Sequence, residues 1–401
     1  TALDAGRRAL AAGPLSRGLA PAVPYAPDTP PSLHAPDAGA IAAFEAAALD
    51  EPPEEISDVT PIDSLLSVAV STYCAAGEDA LYFEATISRA GEKGLPRLPR
   101  DVLLVQDCSK SMTRAKLDFF KEGIREFLPT LSTADRVNFI KYADSPEWCF
   151  SDWRAVSADT LAAVWAFAEK MTARGETDLY ASLRGALEVS RAPGRPLLVL
   201  LMTDGRPTVG ALDASDIIAR FSKANKGKAS VFTVGGGESA DPFLLDLLAQ
   251  SNRGDAWLVP MRDRLPEALK RAGRELSRPV LADLRYSLAG DGKVEVYPKT
   301  LTHLFLDRPL RLVGRASPSA KEAILRIEGD SGTTRHDMVF ALDLENAPDG
   351  GEGLRREWGM QKIYALIEAR ISGEPGATAE AIRGLAAEYR VALPWGGMPI
   401  D

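Results

Sequence analysis

Three short segments bring carboxylates and hydroxyls to the ends of apolar or helical runs. Residues 107–111 read Asp-Cys-Ser-Lys-Ser and follow one apolar run, and residues 203–205 read Thr-Asp-Gly and follow another. Residues 175–178 read Gly-Glu-Thr-Asp and open a helical pattern. Because open α/β sheets bind ligands at the carboxyl ends of their strands, we expect the three segments to converge on one spot.

The oxygen atoms of these segments suit one kind of ligand. Hydroxyls and carboxylates are hard ligands that fit Mg²⁺, and two carboxylates balance a divalent charge. The alternative is that Asp107 and Asp204 merely cap helices, as Asp often does. Caps would account for each residue separately but not for the whole set, so the sequence favours a metal site.

The elements that must position these segments follow from the apolar runs. Runs at 102–105, 137–140, 197–202, 231–234 and 257–259 are typical of parallel strands buried on both faces. Amphipathic helices lie between them, and one has its apolar positions at Leu117, Phe120, Ile124, Phe127 and Leu128. This alternation predicts an α/β fold, with a doubly wound domain over residues 99–278.

Period-two patterns flank that domain on both sides. They predict the first strands of an antiparallel β-sandwich in residues 62–98 and the remainder in residues 279–345. Because two strands alone are unstable, we expect the two groups to pair, which makes the α/β domain an insertion. Residues 346–401 predict a C-terminal helical segment, with helices at 354–371 and 378–389, whereas the Pro- and Ala-rich residues 1–61 predict an extended N-terminal arm.

With these elements in place, the middle of the chain closely resembles a von Willebrand factor type A domain. The metal-ion-dependent adhesion site of that family combines an Asp-x-Ser-x-Ser string with a distant Thr and a distant Asp. The resemblance implies a bound Mg²⁺, with Mn²⁺ or Ca²⁺ as alternatives. It also implies that the serines and the Thr coordinate directly and the aspartates directly or through water. The matching residues are Asp107, Ser109, Ser111, Thr177 and Asp204.

A second resemblance covers about three quarters of the chain. The stretch 100–112 and the region from Val280 onward, including the helix around Trp358 and the closing segment 388–394, are similar to proteins related to inter-alpha-trypsin inhibitor heavy chains. Two features depart from that family. Its N-terminal VIT domain is not recognisable in residues 1–61, and Lys110 replaces the usual Gly of the metal loop.

Charge and hydropathy exclude two classes of partner. The chain carries 47 Lys and Arg against 56 Asp and Glu, a net charge of −9, whereas binding to nucleic acid or anionic lipid needs a clustered basic surface. The one basic cluster, residues 223–228, predicts a solvated helix end. No apolar run approaches the roughly 18 to 20 residues of a membrane span, so we expect no membrane insertion.

Cysteines and histidines argue against most catalytic classes. Cys74, Cys108 and Cys149 are too scattered for a disulfide scaffold or a zinc site, so at most one bridge can form. Cys108 lies inside the metal loop but follows a buried run, which favours an inert thiol over a redox role. The three histidines show no zinc-hydrolase spacing and offer little for a catalytic triad. They are His34, His303 and His336.

These observations predict a non-enzymatic binding or adhesion protein that captures an Asp or Glu carboxylate of a protein ligand through the metal. The alternative is an intracellular assembly or chaperone-type factor that works with a MoxR-type AAA+ ATPase. Nucleotide binding at Gly235-Gly236-Gly237 is disfavoured because the dinucleotide fingerprint and the P-loop lysine are absent. The chain opens with Thr1, so either a leader was removed or the sequence was trimmed, and the N-terminus does not reveal the compartment. The location stays open, with an extracytoplasmic one favoured slightly over a cytoplasmic one. The oligomeric state stays open.

Overall fold

The computed structural model describes residues 66–74, 77–89, 97–204, 207–237, 240–290 and 293–397. The predicted N-terminal arm, residues 1–61, lies outside these ranges. Within them the chain forms fifteen strands and eight α-helices. The strands are β1 (Leu66–Cys74), β2 (Leu81–Arg89), β3 (Asp101–Asp107), β4 (Arg136–Tyr142), β5 (Pro146–Trp148), β6 (Arg154–Ala155), β7 (Leu197–Met202), β8 (Ala229–Gly236), β9 (Ala256–Val259), β10 (Pro279–Gly290), β11 (Glu295–Tyr297), β12 (Leu304–Phe305), β13 (Leu310–Ala316), β14 (Glu322–Ser331) and β15 (Thr334–Asp343). The helices are α1 (Arg114–Phe127), α2 (Ala158–Glu169), α3 (Leu179–Glu188), α4 (Ala214–Asn225), α5 (Pro242–Ser251), α6 (Leu265–Leu276), α7 (Gly353–Ile371) and α8 (Ala379–Tyr389).

A seven-stranded sheet forms from the apolar runs in the middle of the chain. Its strands lie in the order β5-β4-β3-β7-β8-β9, with β6 also paired to β4. All are parallel except β5 and β6, two short strands that the sequence did not predict. Because parallel strands all end at one edge, the segments after β3 and β7 lie side by side.

Helices cover both faces of this sheet. Val102 and Leu104 of β3 face one buried cluster with α1, α2 and α6. Leu103 and Val105 face the opposite cluster with α3, α4 and α5, as the period-two alternation of a strand requires. The doubly wound α/β fold is therefore confirmed. Among the described residues, no helix combines the length and apolar character needed to cross a bilayer.

Two four-stranded antiparallel sheets share a third buried core. One has the order β1-β2-β13-β11 and the other β12-β10-β14-β15. The pairing of β2 with β13 runs from Leu81 opposite Ala316 to Ile87 opposite Leu310. This pairing confirms that strands before the α/β unit pair with strands after it. The domain boundaries proposed from the sequence stay predictions.

The C-terminal helices join the two parts of the molecule. Trp358 of α7 is buried against Tyr82 of β2 and Tyr389 of α8, at ring-centroid distances of 5.8 and 5.3 Å. Further along α7, Ile363 and Ile367 pack in the cluster on the α3, α4 and α5 face of the parallel sheet. Helix α7 therefore packs against the parallel-sheet unit and, through a separate cluster, against the face of the sandwich sheet that points away from the third core.

Hydrogen bonds and ion pairs join the points at which the chain enters and leaves the α/β unit. Arg100, fully buried just before β3, donates to a carboxylate oxygen of Asp135 at 2.6 Å and to the carbonyl of Leu276 at 2.7 Å. Nearby, Asp283 of β10 accepts from Arg253 at 2.9 Å and also from Arg191. These contacts lie at the edge where the parallel strands begin, opposite the edge that carries the metal loops.

Two minor predictions have different outcomes. The solvated end predicted for residues 223–228 is wrong for Lys228, whose ammonium donates to the carbonyls of Leu187 and Val189 at the C-terminal end of α3, where cations are favoured. All three cysteines are free. Burial raises the pKa of Cys108 to about 12, which supports the prediction of an unreactive thiol.

Candidate metal centre

Asp107 is the buried carboxylate at the end of β3. Its Oδ1 accepts from the backbone N–H of Ser109 at 2.8 Å, and its Oδ2 accepts from the hydroxyl of Thr203 at 2.7 Å. Burial raises the pKa of Asp107 to about 6, although both hydrogen bonds act in the opposite direction. The carboxylate is thus fixed in orientation by residues of two different loops.

Two serine hydroxyls lead from this loop to the loop after β7. The Oγ of Ser109 lies 3.0 Å from the Oγ of Ser111, which in turn donates to Oδ1 of Asp204 at 3.3 Å. Ser109 is buried and Ser111 is half-buried. The backbone N–H of Asp241, at the start of α5, donates to the carbonyl of Asp204 at 2.8 Å, which anchors the loop from the other side.

Thr177 belongs to the loop that precedes α3, and backbone hydrogen bonds hold it in place. Its carbonyl accepts from the N–H of Thr208 at 3.0 Å, and its N–H donates to the hydroxyl of Thr208 at 2.8 Å. The N–H of Lys110 reaches the carbonyl of Gly175 at 3.3 Å, which ties this loop to the first one. The hydroxyl oxygen of Thr177 is buried and has no hydrogen-bond partner. Such an orphaned polar atom is costly, and coordination of a ligand would satisfy it.

Asp204 also meets a cation from the protein itself. The Nζ of Lys116 donates to Oδ2 of Asp204 at 2.8 Å and to the carbonyl of Ser111 at 2.9 Å. The Lys116 side chain is 7% exposed and the Asp204 side chain 3%. Helix α1 thus places a buried ammonium group directly on one carboxylate of the site.

The donor set fits a hard divalent cation. Two carboxylates and three hydroxyls come from loops that hydrogen bond to one another, and oxygen donors of this kind suit Mg²⁺ better than zinc. In the described part of the chain, this site included, no group of three or more His, Cys, Asp or Glu side chains could hold a metal, so two carboxylates and the hydroxyls would have to hold the ion here. Four of the five predicted residues share direct hydrogen bonds, whereas the loop of Thr177 is tied to the first loop through the N–H of Lys110 and the carbonyl of Gly175.

The fold and these loops match a known domain. The sequence model described as "von Willebrand factor type A domain" matches residues 100–257. The chain contains a von Willebrand factor type A domain. Below, "A domain" denotes this unit. Its match ends within β9, and the sheets of the sandwich lie outside it.

The chain is also homologous to inter-alpha-trypsin inhibitor heavy chains. It is 26% identical over 347 residues to heavy chain H6 of Homo sapiens and 21% identical over 351 residues to heavy chain H2 of Sus scrofa. These alignments cover 79% and 81% of this chain, but only 26% and 37% of the two relatives. The chain therefore spans well under half the length of the curated relatives it matches.

A solved structure shares the fold over most of the chain. The von Willebrand factor type A protein from Catenulispora acidiphila has a TM-score of 0.59 at 15% sequence identity, with 81% of this chain and 87% of that chain covered. At this identity the likeness extends to the fold alone. It includes more than the A domain, because the A domain match accounts for fewer than half of the residues.

Sequence reasoning missed several residues that build the site. Thr203, next to Asp204, could have been noticed as a hydroxyl at a strand end, and Thr208 as a second Thr in the same loop. Lys116 carried no local signal, because a lysine on an amphipathic helix usually points to solvent. Gly235, near the end of β8, also has a packing role: a Cβ on Gly235 would lie 2.9 Å from the carbonyl oxygen of Thr203. This close approach explains the glycine without a bound nucleotide.

Proposed function

We propose that this protein captures an acidic side chain of a protein partner through a Mg²⁺ ion at the A domain. In this proposal Ser109, Ser111 and Thr177 hold the ion directly, and Asp107 and Asp204 hold it directly or through water. The protein acts as a binding protein and not as an enzyme. Von Willebrand factor type A domains generally mediate protein–protein interactions, which supports a protein partner.

The orphaned hydroxyl of Thr177 is the observation that carries the proposal. A buried hydroxyl without a partner costs about 1 to 3 kcal/mol in proteins. Thr208 nevertheless binds both the N–H and the carbonyl of Thr177, so the hydroxyl is held where it is unsatisfied. A cation at this position would be coordinated by the hydroxyl oxygen, and this bond would offset the free-energy cost.

A bound Mg²⁺ would supply a strong Lewis acid for an external carboxylate, because three neutral hydroxyls donate little charge to it. Residues of the chain itself fix the loops that would surround the ion. The hydrogen bonds to Asp107 fix the first loop, and the pairing of Ser111 with Asp204 fixes the third. Lys110 is exposed in the first loop and adds positive charge at the rim, which favours approach of an acidic segment.

The metal part of the proposal is tested by Thr177→Val. Calorimetry with Mn²⁺ should show binding of one ion to the wild type and a loss of affinity of about tenfold or more in the variant, as for a lost ligand. Thr302→Val is the matched control, since Thr302 also has a buried hydroxyl without a partner but lies in the sandwich, before β12. Equal Mn²⁺ affinity in Thr177→Val and wild type would contradict the assignment.

The partner part is tested with a phage-displayed library of random peptides. Peptides selected on the protein in Mg²⁺ should share an Asp or Glu, should be released by EDTA, and should not bind the Asp204→Ala variant. Peptides that bind equally well in EDTA and to that variant would mean that partner capture does not use the metal.

A further inference from the structure

Lys116 brings a third formal charge into the metal site. It lies on the first turn of α1, and its ammonium group bridges two of the three loops by contacting the carboxylate of Asp204 and the carbonyl of Ser111 at 2.8 and 2.9 Å. Because the side chain is almost fully buried, water screens this charge little. The ammonium group is therefore a fixed electrostatic component of the site.

The two carboxylate oxygens of Asp204 accept hydrogen bonds from different neighbours. Oδ2 accepts from Lys116, whereas Oδ1 accepts from Ser111, one of the proposed metal ligands. Lys116 thus holds one oxygen and orients the other towards the hydroxyl group. It acts on the proposed ion through Asp204 and through its own charge.

The formal charges of the site do not cancel once a divalent ion is bound. Among the described side chains of the site, Asp107 and Asp204 contribute two negative charges and Lys116 one positive charge, which gives −1 without metal and +1 with a divalent ion. Without Lys116 the same sums would be −2 and zero. Without metal, a site at −1 attracts a divalent ion less than a site at −2 does, and with metal bound a site at +1 attracts an external anion.

We propose that Lys116 is an internal counter-cation that keeps the metal affinity of the free protein low and leaves a positive charge for a partner carboxylate to neutralise. Metal and partner therefore bind cooperatively, each raising the affinity for the other. This inference rests on the proposed function of the site. It assigns Lys116 a positioning and charge-setting role, distinct from that of a ligand.

A purely structural role for Lys116 predicts the opposite result. If the Lys116–Asp204 pair only stabilised the loops, its removal would disorder Asp204 and weaken metal binding. If Lys116 opposes the ion, its removal strengthens metal binding. The sign of the change separates the two roles.

The experiment measures Mn²⁺ affinity by calorimetry in Lys116→Met and Lys116→Gln. The Gln variant keeps a hydrogen-bond donor without the charge, and it serves if the Met variant fails to fold. We expect the dissociation constant to fall by about tenfold or more in each, as for removal of a weakly screened like charge. Lys121→Met is the matched control, because Lys121 is also buried on α1 but pairs with Asp118 at 3.7 Å.

Melting temperatures give an independent readout. In EDTA both Lys116 variants should melt below the wild type, since two buried carboxylates lose their counter-charge, and on adding Mn²⁺ they should gain more than the wild type does. Exchange of chloride for acetate, at equal ionic strength and equal free Mn²⁺, should tighten Mn²⁺ binding to the wild type more than to Lys116→Gln.

One outcome is that Lys116→Gln binds Mn²⁺ no more tightly than the wild type, while Thr177→Val still lowers the affinity in the wild-type background. That outcome would overturn the role of Lys116 alone. Acetate that tightens Mn²⁺ binding equally in both proteins would overturn the part that Lys116 plays in the cooperativity, and acetate that leaves Mn²⁺ binding to the wild type unchanged would overturn the cooperativity itself. Folded wild type that binds no Mn²⁺ would overturn the proposed function itself.

Discussion

The hydroxyl of Thr203 donates to Oδ2 of Asp107 at 2.7 Å, so the residue beside one carboxylate of the site orients the other carboxylate. The two aspartates are 97 positions apart in sequence and lie at the ends of β3 and β7, which are neighbours in the sheet. A parallel pairing thus converts two distant sequence segments into one hydrogen-bonded unit. The position of Asp107 depends on a residue that cannot itself reach solvent.

We expect Thr203→Val to weaken metal binding although Thr203 is not a proposed ligand. The variant leaves Oδ2 of Asp107 without its donor, and loss of a buried hydrogen bond to a charged group costs about 1.5 to 3 kcal/mol of folding free energy. Mn²⁺ calorimetry and urea unfolding would measure both effects. Thr233→Val is the control, since the Thr233 hydroxyl is equally buried on β8 but donates to the carbonyl of Leu245. A variant that loses stability yet keeps full Mn²⁺ affinity would show that Thr203 matters for folding alone.

Mg²⁺ should raise the melting temperature of the wild type, because an ion that binds only the folded state stabilises it by mass action. At a concentration one hundred times the dissociation constant, the gain is about 2.7 kcal/mol. Asp107→Ala and Asp204→Ala should each abolish this gain, since each removes one of the two balancing charges. Calorimetry that finds wild-type metal affinity in both variants would refute the assignment of these two residues.

Asp246 should make stability depend on pH. This carboxylate of α5 accepts from the hydroxyl of Tyr364 at 2.6 Å and from the indole N–H of Trp395 at 3.1 Å, and burial raises its pKa to about 6. An acid with a raised folded pKa contributes stability below its unfolded pKa, near 4, and loses that contribution as the pH rises through 6.

Asp246→Asn stays neutral at every pH, so it should become more stable relative to the wild type as the pH rises. Between pH 5 and pH 8 the difference should grow by about 1 kcal/mol in urea unfolding. The exposed Asp159→Asn on α2 is the control and should show no such trend. A constant difference between Asp246→Asn and wild type at all pH values would mean that Asp246 does not titrate in this range.

A fragment of residues 99–278 should fold alone but with lower stability than the same unit in the full chain. It keeps the whole parallel sheet and helices α1 to α6, yet it lacks Ile363 and Ile367 of α7, which are buried against the A domain. Each buried Ile contributes roughly 1.5 to 3 kcal/mol when removed from water. Circular dichroism and urea unfolding would compare the two proteins. An unfolded fragment would place the domain boundaries elsewhere.

Local pattern sufficed for most of the elements, though not for the short strands β5 and β6, and for the loops of the site. The helix predicted at 354–371 is α7, Gly353–Ile371, because its apolar spacing is strictly helical. The spacing of Asp107, Ser109 and Ser111 indicated their convergence with Asp204, because strand ends meet at one sheet edge. Period and topology carry such information in the sequence itself.

Contacts between distant side chains could not be predicted in this way. The ammonium of Lys116 reaches across 88 residues to Asp204, and Asp246 meets Tyr364 and Trp395 at separations of 118 and 149 residues. The periodicity of the sequence does not specify that Lys116 points towards the interior, or that the buried carboxylate of Asp246 accepts a hydrogen bond from the distant Tyr364. These contacts depend on tertiary packing, which decides how helices rotate and where α7 lies.

The contacts of Arg100 have a mechanical consequence. Arg100 joins the two points at which the chain enters and leaves the A domain, and Arg191 and Arg253 bind Asp283 of β10. The A domain is therefore tethered to the sandwich at one edge, while its proposed partner would attach at the other edge. A pull on the partner would then run lengthwise along the parallel strands. Such a force loads many interstrand hydrogen bonds in parallel instead of breaking them one by one. The sheet would therefore resist extension and would transmit tension between the partner and the rest of the protein.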